Sequence, residues 1–443
     1  MGVRIAMIGG GYVGLVSGAC FAEFGIEVAV VETDPDRLAA LRAGRMPIFE
    51  PGLEDLVRSN VAAGRLHFGD NLAEAMQDAE AVFIAVGTPT RRGDGHADLS
   101  YVYAAAEQVA CAMTGYAVIV TKSTVPVGTG RRIAEIVRAT RPALEFDVAS
   151  NPEFLREGNA IGDFMRPDRV VIGCSAPRAR TVMQRLYAPI AATEAPILFT
   201  GVETAELTKY AANAFLALKV TFINEMADLC ERAGADVLEV ARGIGLDGRI
   251  GSRFLQPGPG FGGSCFPKDT LALMRIAQEA GAPSRLVETV VAVNDARKSG
   301  MAARIIAACG GSVRGKTIAV LGLTFKPDTD DMRDSPAIPI VARLVEDGAL
   351  VQAYDPEGMA AARPLLPGSV VYCRDALNAA QGADAIVLIT EWNQFRALSP
   401  ARLAAAMSGR VLVDLRNVYD PAAMRQAGMI YHGIGRGAAP PGQ

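Results

Sequence analysis

The amino-acid sequence predicts an α/β protein with two parallel-sheet domains joined by a long central helical segment. Short apolar runs alternate with helical patterns as far as residue 202, the chain from 203 to 309 is almost entirely helical in pattern, and the alternation returns from Lys316. Such alternation is typical of a parallel sheet covered on both faces by helices. We therefore expect three regions, at residues 1–202, 203–309 and 310–443.

Each element of the first region follows from an apolar run or from the helical pattern between two such runs. Buried parallel strands are nearly continuous apolar runs that end in turn residues. The predicted strands are "VRIAMI" before a glycine-rich turn, "IEVAVVETD", and residues 79–90, 116–126, 145–154, 168–174 and 195–201. The predicted helices follow that turn and cover about 35–43, 50–63, 101–113 and 129–139.

The central and C-terminal regions are assigned in the same way. The run "ETAELTKYAANAFLALKVTFINEMADLCERAG" has no Gly or Pro before Gly234, which predicts a helix long enough to join two domains or form a subunit interface. Residues 316–331 predict a strand and a loop, 335–348 a helix, and 349–358 a strand; "ADAIVLITEW" and "GRVLVDLRNVYD" complete the second α/β domain. We expect the tail "GRGAAPPGQ" to be disordered.

The apolar run Ile5–Ala22 could also be an export signal with Cys20 as a lipoprotein cysteine. Five glycines interrupt this run, Ser17 stands where a larger apolar residue is wanted, and a second strand follows directly. Seven scattered cysteines without a CxxC pair are typical of free thiols in a reducing compartment. We therefore interpret the run as strand, turn and helix, and expect a cytoplasmic protein.

Composition excludes several classes of function. Half of the 443 residues are hydrophobic and 21% are charged, which allows a large core. The net charge is −4 and no basic block is present, so a nucleic-acid partner is not expected. Three histidines far apart in the chain give no pattern for a metal site, and no other run predicts a membrane span.

A dinucleotide site is predicted at Gly9-x-Gly11-x-x-Gly14, between the first strand and the first helix. Glycines there allow a tight turn and close approach of a pyrophosphate, which the helix N-terminus attracts. Glu32 at the end of the next strand can accept from ribose hydroxyls and repel a 2′-phosphate, which favours NAD over NADP. This is a Rossmann-like pattern for a nicotinamide or flavin dinucleotide; the alternative is a glycine-rich turn that binds nothing.

A second candidate site is the stretch "PGPGFGGSCFPKDT", in which glycines and prolines precede a single thiol. A cysteine just ahead of a helix N-terminus feels the positive end of the helix dipole, which favours the thiolate. Cys265 is therefore a candidate nucleophile. The alternative is an ordinary turn followed by a small buried cysteine.

Taken with the motifs "KSTVPVGT", "SNPEFLREG", "GRIGSRFLQPGPGFGGSCFPKD", "LGLTFKPDTDDMRDSP" and "DLRNVYD", the chain resembles the UDP-glucose/GDP-mannose dehydrogenase family over residues 3–432, and most closely its UDP-glucose 6-dehydrogenases. The resemblance implies a four-electron oxidation of UDP-glucose to UDP-glucuronate with NAD as cofactor. It implies a thiohemiacetal and then a thioester on Cys265. It also implies a homodimer or higher homo-oligomer, with Arg249 supplied by the neighbouring subunit.

The resemblance assigns roles to residues at matching positions. Lys209 and Asn213 would stabilise oxyanions at C6, Asp269 would act with Lys209 on the proton, and Glu153 with Thr124 would position water. The implied catalytic residues are Cys265, Lys209, Asn213, Asp269, Glu153 and Thr124. The implied cofactor-binding residues are Gly9, Gly11, Tyr12, Val13, Gly14, Glu32, Arg37, Thr88, Thr124, Glu157, Lys268 and Arg333. The implied substrate-binding residues are Glu153, Phe154, Leu155, Lys209, Asn213, Arg249, Phe254, Leu255, Gly262, Phe325, Lys326 and Arg416.

Two alternatives stay open from the sequence. A sibling enzyme could oxidise GDP-mannose or a UDP-N-acetylhexosamine, although the N-acetylhexosamine enzymes tend to carry His before the cysteine, where this chain has Ser264. A non-enzymatic NAD-sensing protein could share the fold, because fold does not fix function. Many relatives also have Asp at the position of Glu32.

Overall fold

The computed structural model describes residues 3–91 and 95–436, and it divides into two compact units. The first unit extends to Ala212 and includes Arg275–Ala282, whereas the second contains Asn213–Met274 and the chain from Pro283 onward. The division into three regions at residues 202 and 309 stays a prediction.

The first unit is built on an eight-stranded sheet. Its strands are β1 (Arg4–Ile8), β2 (Glu27–Val31), β3 (Leu66–Gly69), β4 (Ala81–Ile84), β5 (Ala117–Thr121), β6 (Phe146–Ser150), β7 (Val170–Gly173) and β8 (Ile197–Thr200). Their order is β3-β2-β1-β4-β5-β6-β7-β8, and the pairs are parallel except for β6 with β7. The sequence pattern missed β3 because "LHFG" is not a continuous apolar run: His67 and Gly69 alternate with its apolar residues.

Helices connect these strands and cover the sheet. They are α1 (Tyr12–Glu23), α2 (Pro35–Arg42), α3 (Leu53–Ala62), α4 (Leu72–Ala75), α5 (Ser100–Ala112), α6 (Thr129–Thr140), α7 (Ala160–Met165), α8 (Pro177–Leu186) and α9 (Ala188–Ala191). Local chemistry explains where they begin. Asp34 caps α2 by accepting from the Arg37 amide at 2.9 Å, and Pro35 occupies the first helical position.

The predicted central helices are present. They are α10 (Val202–Ala233), α11 (Val237–Gly245), α12 (Phe266–Glu279) and α13 (Arg285–Ala308). Helix α10 has 32 residues and contains no Gly or Pro, as the sequence pattern predicted. The segment between α11 and α12 is irregular and carries the glycine-rich stretch before Cys265.

The second unit contains a six-stranded parallel sheet. Its strands are β9 (Thr317–Leu321), β10 (Leu350–Tyr354), β11 (Val371–Tyr372), β12 (Ala385–Leu388), β13 (Val411–Asp414) and β14 (Ile430–Gly433). Its further helices are α14 (Ala337–Glu346), α15 (Met359–Ala362), α16 (Ala376–Ala380), α17 (Asn393–Arg396), α18 (Pro400–Ala406) and α19 (Pro421–Gln426). The order β11-β10-β9-β12-β13-β14 matches the first six strands of the other sheet. Both are the doubly wound order in which ligands bind outside the carboxyl ends of the strands.

Each sheet is buried between apolar side chains. In the first unit, Phe21, Phe83, Phe164 and Tyr187 form a ring cluster with centroid separations from 5.0 to 6.5 Å. The predicted disorder of the tail is wrong for Gly435, whose amide donates to Glu231 at 2.6 Å; the tail from residue 437 lies outside the described residues. Within the described ranges, no helix is both long and apolar enough to cross a membrane.

Candidate active site

The predicted dinucleotide turn lies where strand order reverses between β1 and β4. Gly9 has a φ of +103°, and a Cβ there would lie 2.8 Å from the Ala85 carbonyl oxygen. A Cβ at Gly14 would lie 2.0 Å from the Gly9 carbonyl oxygen, so the turn requires glycine at both positions. A Cβ at Gly11 would meet nothing within 4 Å, which leaves that side of the turn open for a ligand. The geometry fits a pyrophosphate at the N-terminus of α1.

Glu32 directly follows β2, in the position expected of a ribose-binding acid. Its carboxylate is 5% exposed and accepts from the backbone amides of Gly10 at 3.0 Å and Asp34 at 2.9 Å. Arg37 forms an ion pair with it at 3.1 Å. The structure therefore brings the predicted cofactor residues Glu32 and Arg37 together beside the glycine turn.

Tyr12, also predicted to bind cofactor, directs its hydroxyl to Glu50. Burial and the Glu50 carboxylate raise the pKa of Tyr12 far above its usual value, with a smaller contribution from Glu157. Glu50 also accepts from the amides of Gly158 and Ala160, both at 2.7 Å. It therefore links the dinucleotide turn to the loop after β6. The sequence pattern placed Glu50 at the start of a helix, and nothing in its local sequence indicated these distant partners.

The carboxyl ends of β4 and β5 are joined by hydroxyl groups. Thr88 donates from Oγ1 to the Thr124 carbonyl oxygen at 3.0 Å. Ser123 donates to the Val86 carbonyl oxygen at 2.6 Å. The predicted residues Thr88 and Thr124 are therefore adjacent, at the sheet edge that also carries the glycine turn.

A buried ion pair joins α10 to the loop after β6 in the first unit. Lys209 Nζ lies 3.0 Å from Glu153 Oε1, and the two side chains are 3% and 6% exposed. Glu153 Oε2 accepts from the Leu155 amide at 2.6 Å, and the Phe154 ring centroid lies 5.4 Å from Lys209 Nζ. Burial alone would raise the pKa of Glu153, but Lys209 and the Leu155 amide outweigh it, so the pKa is lowered. Glu153 is therefore an ionised carboxylate whose negative charge is held by Lys209 and the Leu155 amide.

Lys122 is a second buried cation in this region, and the sequence analysis did not single it out. Its Nζ donates to Asn151 Oδ1 at 3.0 Å and to the Tyr187 hydroxyl at 3.3 Å. Burial lowers the pKa of Lys122 to about 8; Lys209 also lowers it, whereas Glu153 raises it. A lysine directly after a buried strand was the available sequence signal.

In the second unit, Cys265 occupies the position just before α12. Its carbonyl oxygen accepts from the Asp269 amide at 2.8 Å, as an N-cap residue does, and its Sγ lies 3.5 Å from Ser264 Oγ. The thiol therefore lies at the helix N-terminus that the sequence pattern predicted. The positive end of α12 favours negative charge there.

Asp269 and Asn213 form a buried pair. Asn213 Nδ2 donates to Asp269 Oδ2 at 2.6 Å, and the two residues are 6% and 1% exposed respectively. Lys268 Nζ lies 2.8 Å from Asp269 Oδ1. The structure therefore connects two predicted catalytic residues of the second unit with the predicted cofactor residue Lys268.

The glycines before Cys265 are required by protein contacts. The Gly263 amide donates to the Arg333 carbonyl oxygen at 2.8 Å. A Cβ at Gly262 would lie 2.3 Å from the Asp334 carbonyl oxygen, and one at Gly263 would lie 2.6 Å from the Phe325 ring. The sequence analysis assigned Gly262 to substrate; the structure shows that it also allows the chain to pack closely on residues 325–334.

Arg416 and Phe325 contact each other next to the glycine-rich loop that precedes Cys265. Arg416 donates from Nη2 to the Phe325 carbonyl oxygen at 3.0 Å and forms an ion pair with Glu391 at 3.0 Å. A Cβ at Gly258 would lie 2.8 Å from Arg416 Nη1. Lys326 Nζ lies 5.3 Å from the Phe325 ring centroid. These predicted substrate residues thus adjoin the glycine-rich loop.

The remaining predicted residues have separate environments. Phe254 packs against Phe266 at 6.0 Å between ring centroids, and Leu255 is buried. Arg249 is 90% exposed in its side chain and pairs with Asp247 at 2.6 Å, while Arg333 is 65% exposed and pairs with Asp331 at 2.8 Å. Among the described residues, no group of three or more His, Cys, Asp or Glu could hold a metal ion.

Comparisons with known proteins agree with this arrangement. Residues 3–191 match the NAD binding domain of the UDP-glucose/GDP-mannose dehydrogenase family, residues 203–296 its central domain, and residues 319–421 its UDP binding domain. The chain is 60% identical over 436 residues to the UDP-glucose 6-dehydrogenase of Rhizobium meliloti, covering 98% of this chain and 100% of that protein. It is 47% identical over 436 residues to UDP-glucose 6-dehydrogenase TuaD of Bacillus subtilis, covering 98% of this chain and 94% of that protein.

A solved structure of a UDP-glucose dehydrogenase has the same fold as this chain. The UDP-glucose dehydrogenase from the archaeon Pyrobaculum islandicum superposes with a TM-score of 0.90 at 40% identity, covering 99% of this chain and 98% of that one. The predicted fold class, two Rossmann-like parallel-sheet domains with a long central helix, is confirmed. The chain therefore belongs to the UDP-glucose/GDP-mannose dehydrogenase family.

Proposed function

We propose that this protein is an NAD-dependent UDP-glucose 6-dehydrogenase, which oxidises the C6 hydroxymethyl group of UDP-glucose to the carboxylate of UDP-glucuronate. The observation that carries the proposal is Cys265 at the N-terminus of α12, because a thiolate there can hold the aldehyde as an adduct for a second oxidation, which a single alcohol oxidation does not need. The relatives named UDP-glucose 6-dehydrogenase support the choice of substrate.

NAD+ accepts a hydride in each of two oxidations when it is bound. Residues of the first unit suit its binding: the turn around Gly11 is open to a pyrophosphate, and Glu32 can accept from ribose hydroxyls. Glu32 also repels a 2′-phosphate, which supports NAD over NADP. Thr88 and Thr124 line the neighbouring strand ends, and Arg37 of α2 pairs with Glu32.

The first oxidation removes a proton from the C6 hydroxyl and produces an aldehyde. Glu153 is ionised and buried beside Lys209, so it can take a proton through a water while the ammonium stabilises negative charge on oxygen. We assign Asp269 and Asn213 to the same proton transfer and oxyanion stabilisation, because their polar groups are buried and joined to each other.

The second oxidation needs a tetrahedral adduct. The Cys265 thiolate adds to the aldehyde carbon, and its sulfur–carbon bond makes a thiohemiacetal. Oxidation of this adduct gives a thioester. Water then attacks the thioester carbonyl and breaks the carbon–sulfur bond, which yields the carboxylate and restores the thiolate. Each turnover therefore consumes two NAD+ and one water and retains the aldehyde on the enzyme.

We further propose that the active form is a homodimer or a higher homo-oligomer. Phe215, Phe222 and Leu229 recur every two turns along one face of α10, with exposures of 61%, 44% and 56%. An exposed apolar stripe of this kind is typical of a subunit interface. The Arg249 side chain is 90% exposed and pairs with Asp247 two residues away, so it is accessible to a neighbouring subunit, as the family resemblance implies. Seven free cysteines support a cytoplasmic location.

The test is to supply NAD+ with UDP-glucose, GDP-mannose or UDP-N-acetylglucosamine separately, and to count NADH formed per sugar consumed. We expect two NADH per UDP-glucose and no comparable reaction with the other two. Two NADH per GDP-mannose or per UDP-N-acetylglucosamine instead would assign the chain to a sibling activity. No NADH from any sugar would contradict the proposal and favour an NAD-sensing protein.

A further inference from the structure

The irregular loop from Pro257 to Phe261 is buried but has few polar groups of its own to hold it. Its two prolines have no amide hydrogen, and its two glycines have no side chain. A buried backbone must still satisfy its amide and carbonyl groups. Three buried polar side chains from α10 and α13 do this, and we call them the loop clamp: Asn224, Asn294 and Arg297.

Asn294 satisfies both backbone groups of Phe261. Its Oδ1 accepts from the Phe261 amide at 2.8 Å, and its Nδ2 donates to the Phe261 carbonyl oxygen at 3.1 Å. Asn294 is 3% exposed, so water does not readily replace either bond. Only an amide side chain offers a donor and an acceptor in this arrangement; aspartate would keep the acceptor and face the carbonyl oxygen with negative charge.

Asn224 and Arg297 together satisfy both backbone groups of Gly258. The Gly258 amide donates to Asn224 Oδ1 at 2.8 Å, and Arg297 Nε donates to the Gly258 carbonyl oxygen at 2.7 Å. Arg297 Nη1 also donates to the Asn224 carbonyl oxygen at 3.1 Å and lies 3.0 Å from both carboxylate oxygens of Asp228. The fork geometry of arginine is needed to reach all of these groups together.

The two residues that the loop clamp holds, Gly258 and Phe261, lie beside residues predicted to bind substrate. Both lie between Leu255 and Gly262, which the family resemblance assigns to substrate binding, and Cys265 follows shortly after. A Cβ at Gly258 would lie 2.8 Å from Arg416, another residue assigned to substrate. A loop of glycine and proline can present backbone to a ligand, but it needs outside support to keep one shape.

We propose that Asn224, Asn294 and Arg297 are positioning residues that fix the UDP-sugar loop, and with it Cys265, before substrate binds. This inference rests on the proposed function for the identity of the ligand. Holding the loop in its binding shape lowers the ordering cost of recognition, which raises substrate affinity. It also fixes the approach of the thiol to the aldehyde, on which the second oxidation depends.

The test uses the full-length protein with Asn294→Asp, and Asp295→Asn as the matched control on the same helix. Asp295 is 63% exposed and pairs with Lys298 at 3.2 Å, so its substitution makes the reverse isosteric change and leaves both bonds of Asn294 to Phe261 in place. Four quantities are measured: KM for UDP-glucose, KM for NAD+, melting temperature, and the rate at which iodoacetamide alkylates Cys265, followed by peptide mass spectrometry.

For Asn294→Asp we expect KM for UDP-glucose to rise about tenfold, with KM for NAD+ changed less than about twofold, since one buried hydrogen bond is lost and one repulsion is added. We expect the alkylation rate of Cys265 to change at least about threefold, because the thiol depends on the loop for its environment. The Asp295→Asn control should leave all of these quantities within about twofold of wild type, since exposed substitutions have small effects.

Arg297→Lys is the second variant, in case the first does not fold. Lysine keeps a cation beside Asp228 but cannot also donate to the Gly258 carbonyl oxygen, so the same shifts in KM and alkylation are expected. If either folded variant shows a lower melting temperature but wild-type KM and alkylation rate, the clamp serves stability alone and the inference is overturned. The alkylation rate needs no turnover, so it decides the role of the clamp even if UDP-glucose is not the substrate.

Discussion

Lys209 donates to Glu153 across 3.0 Å while both side chains are nearly excluded from solvent. Removing two charges from water is costly, and a buried pair is weak evidence for a stabilising role. A second buried cation, Lys122, contributes to the same electrostatic environment, since it lowers the pKa of Glu153. Two ammonium groups therefore act on one carboxylate in this part of the first unit. Such a site favours negative charge developing on a substrate oxygen, which is a requirement of alcohol oxidation.

Replacing Glu153 with glutamine should lower kcat about 100-fold, because the acceptor of the proton is lost while the shape of the side chain is kept. The matched control is Glu135→Gln, in an exposed ion pair with Arg132 at 2.8 Å. Steady-state kinetics with UDP-glucose give kcat for both variants. Wild-type kcat in Glu153→Gln would remove this carboxylate from the proton transfer.

Lys122 should make stability depend on pH in the alkaline range. Its pKa is lowered from 10.5 to about 8 in the folded protein, so the folded state resists holding the proton. This cost is present in full below pH 8 and disappears as pH rises toward the unfolded pKa, so the contribution of Lys122 to stability becomes up to about 3 kcal/mol less unfavourable over that window. Cys20 and Tyr187 act in the opposite direction: burial raises the folded pKa of Cys20 to about 12 and that of Tyr187 further, so their ionisation in the unfolded chain lowers stability as pH rises. Both groups are also present in a Lys122 variant, so the difference between that variant and wild type isolates the contribution of the lysine.

The variant Lys122→Met keeps much of the volume and removes the charge. Its melting temperature minus that of wild type should be largest at pH 7 and should fall steadily to pH 10, where wild-type Lys122 is mostly neutral. Thermal unfolding at four pH values measures this difference. A difference that stays constant with pH would show that Lys122 keeps its ordinary titration in the folded protein.

The parts of the fold and site that depend on residues close together in the chain could be predicted from the sequence, whereas contacts between distant residues could not. The strand and helix order, the glycine turn with Glu32, and Cys265 before a helix all follow from residues close together in the chain, and the structure places them so. Glu50 and Lys122 were missed because their roles come from distant partners, such as the Gly158 amide for Glu50. No periodicity or short motif reports such a contact.

The same limit applies to the glycine-rich loop. Its composition predicted a turn that can approach a ligand, but the sequence could not show that Asn294 of α13 bonds both backbone groups of Phe261. An asparagine inside a long helical pattern is usually assigned to the solvent-exposed face of the helix. A polar side chain that can compete with the helix backbone for hydrogen bonds is least costly where it points into water. Burial reverses that interpretation, and burial depends on tertiary packing.

Cys265→Ser should separate the two oxidations. A serine hydroxyl is a far weaker nucleophile than a thiolate at neutral pH, and an ester is cleaved more slowly than a thioester. We expect a burst of NADH as sugar is first oxidised, followed by little turnover, with an enzyme-bound sugar visible by intact-mass spectrometry. The exposed Cys111 gives the control Cys111→Ser, which should turn over normally. Full turnover to UDP-glucuronate by Cys265→Ser would refute the covalent role.

Gly263 should tolerate no side chain, because two independent costs meet at this residue. Its φ is +87°, which L-residues rarely adopt, and a Cβ would lie 2.6 Å from the Phe325 ring. Gly263→Ala should therefore lower stability by about 1–3 kcal/mol and reduce activity, since the loop that leads to Cys265 must move. The control Gly243→Ala lies inside α11, where a Cβ meets nothing within 4 Å, and should be neutral or stabilising. Melting temperatures and kcat of the single variants test this contrast.

The double variant Gly263→Ala with Phe325→Ala distinguishes the two costs at Gly263. Removing the ring relieves the clash but not the strain of the positive φ, so the double variant should lose less stability than the sum of the two single variants. Strict additivity would mean that the ring does not limit the approach of the loop. A Gly263→Ala enzyme with wild-type stability and kcat would show that the loop does not need its close contact with Phe325.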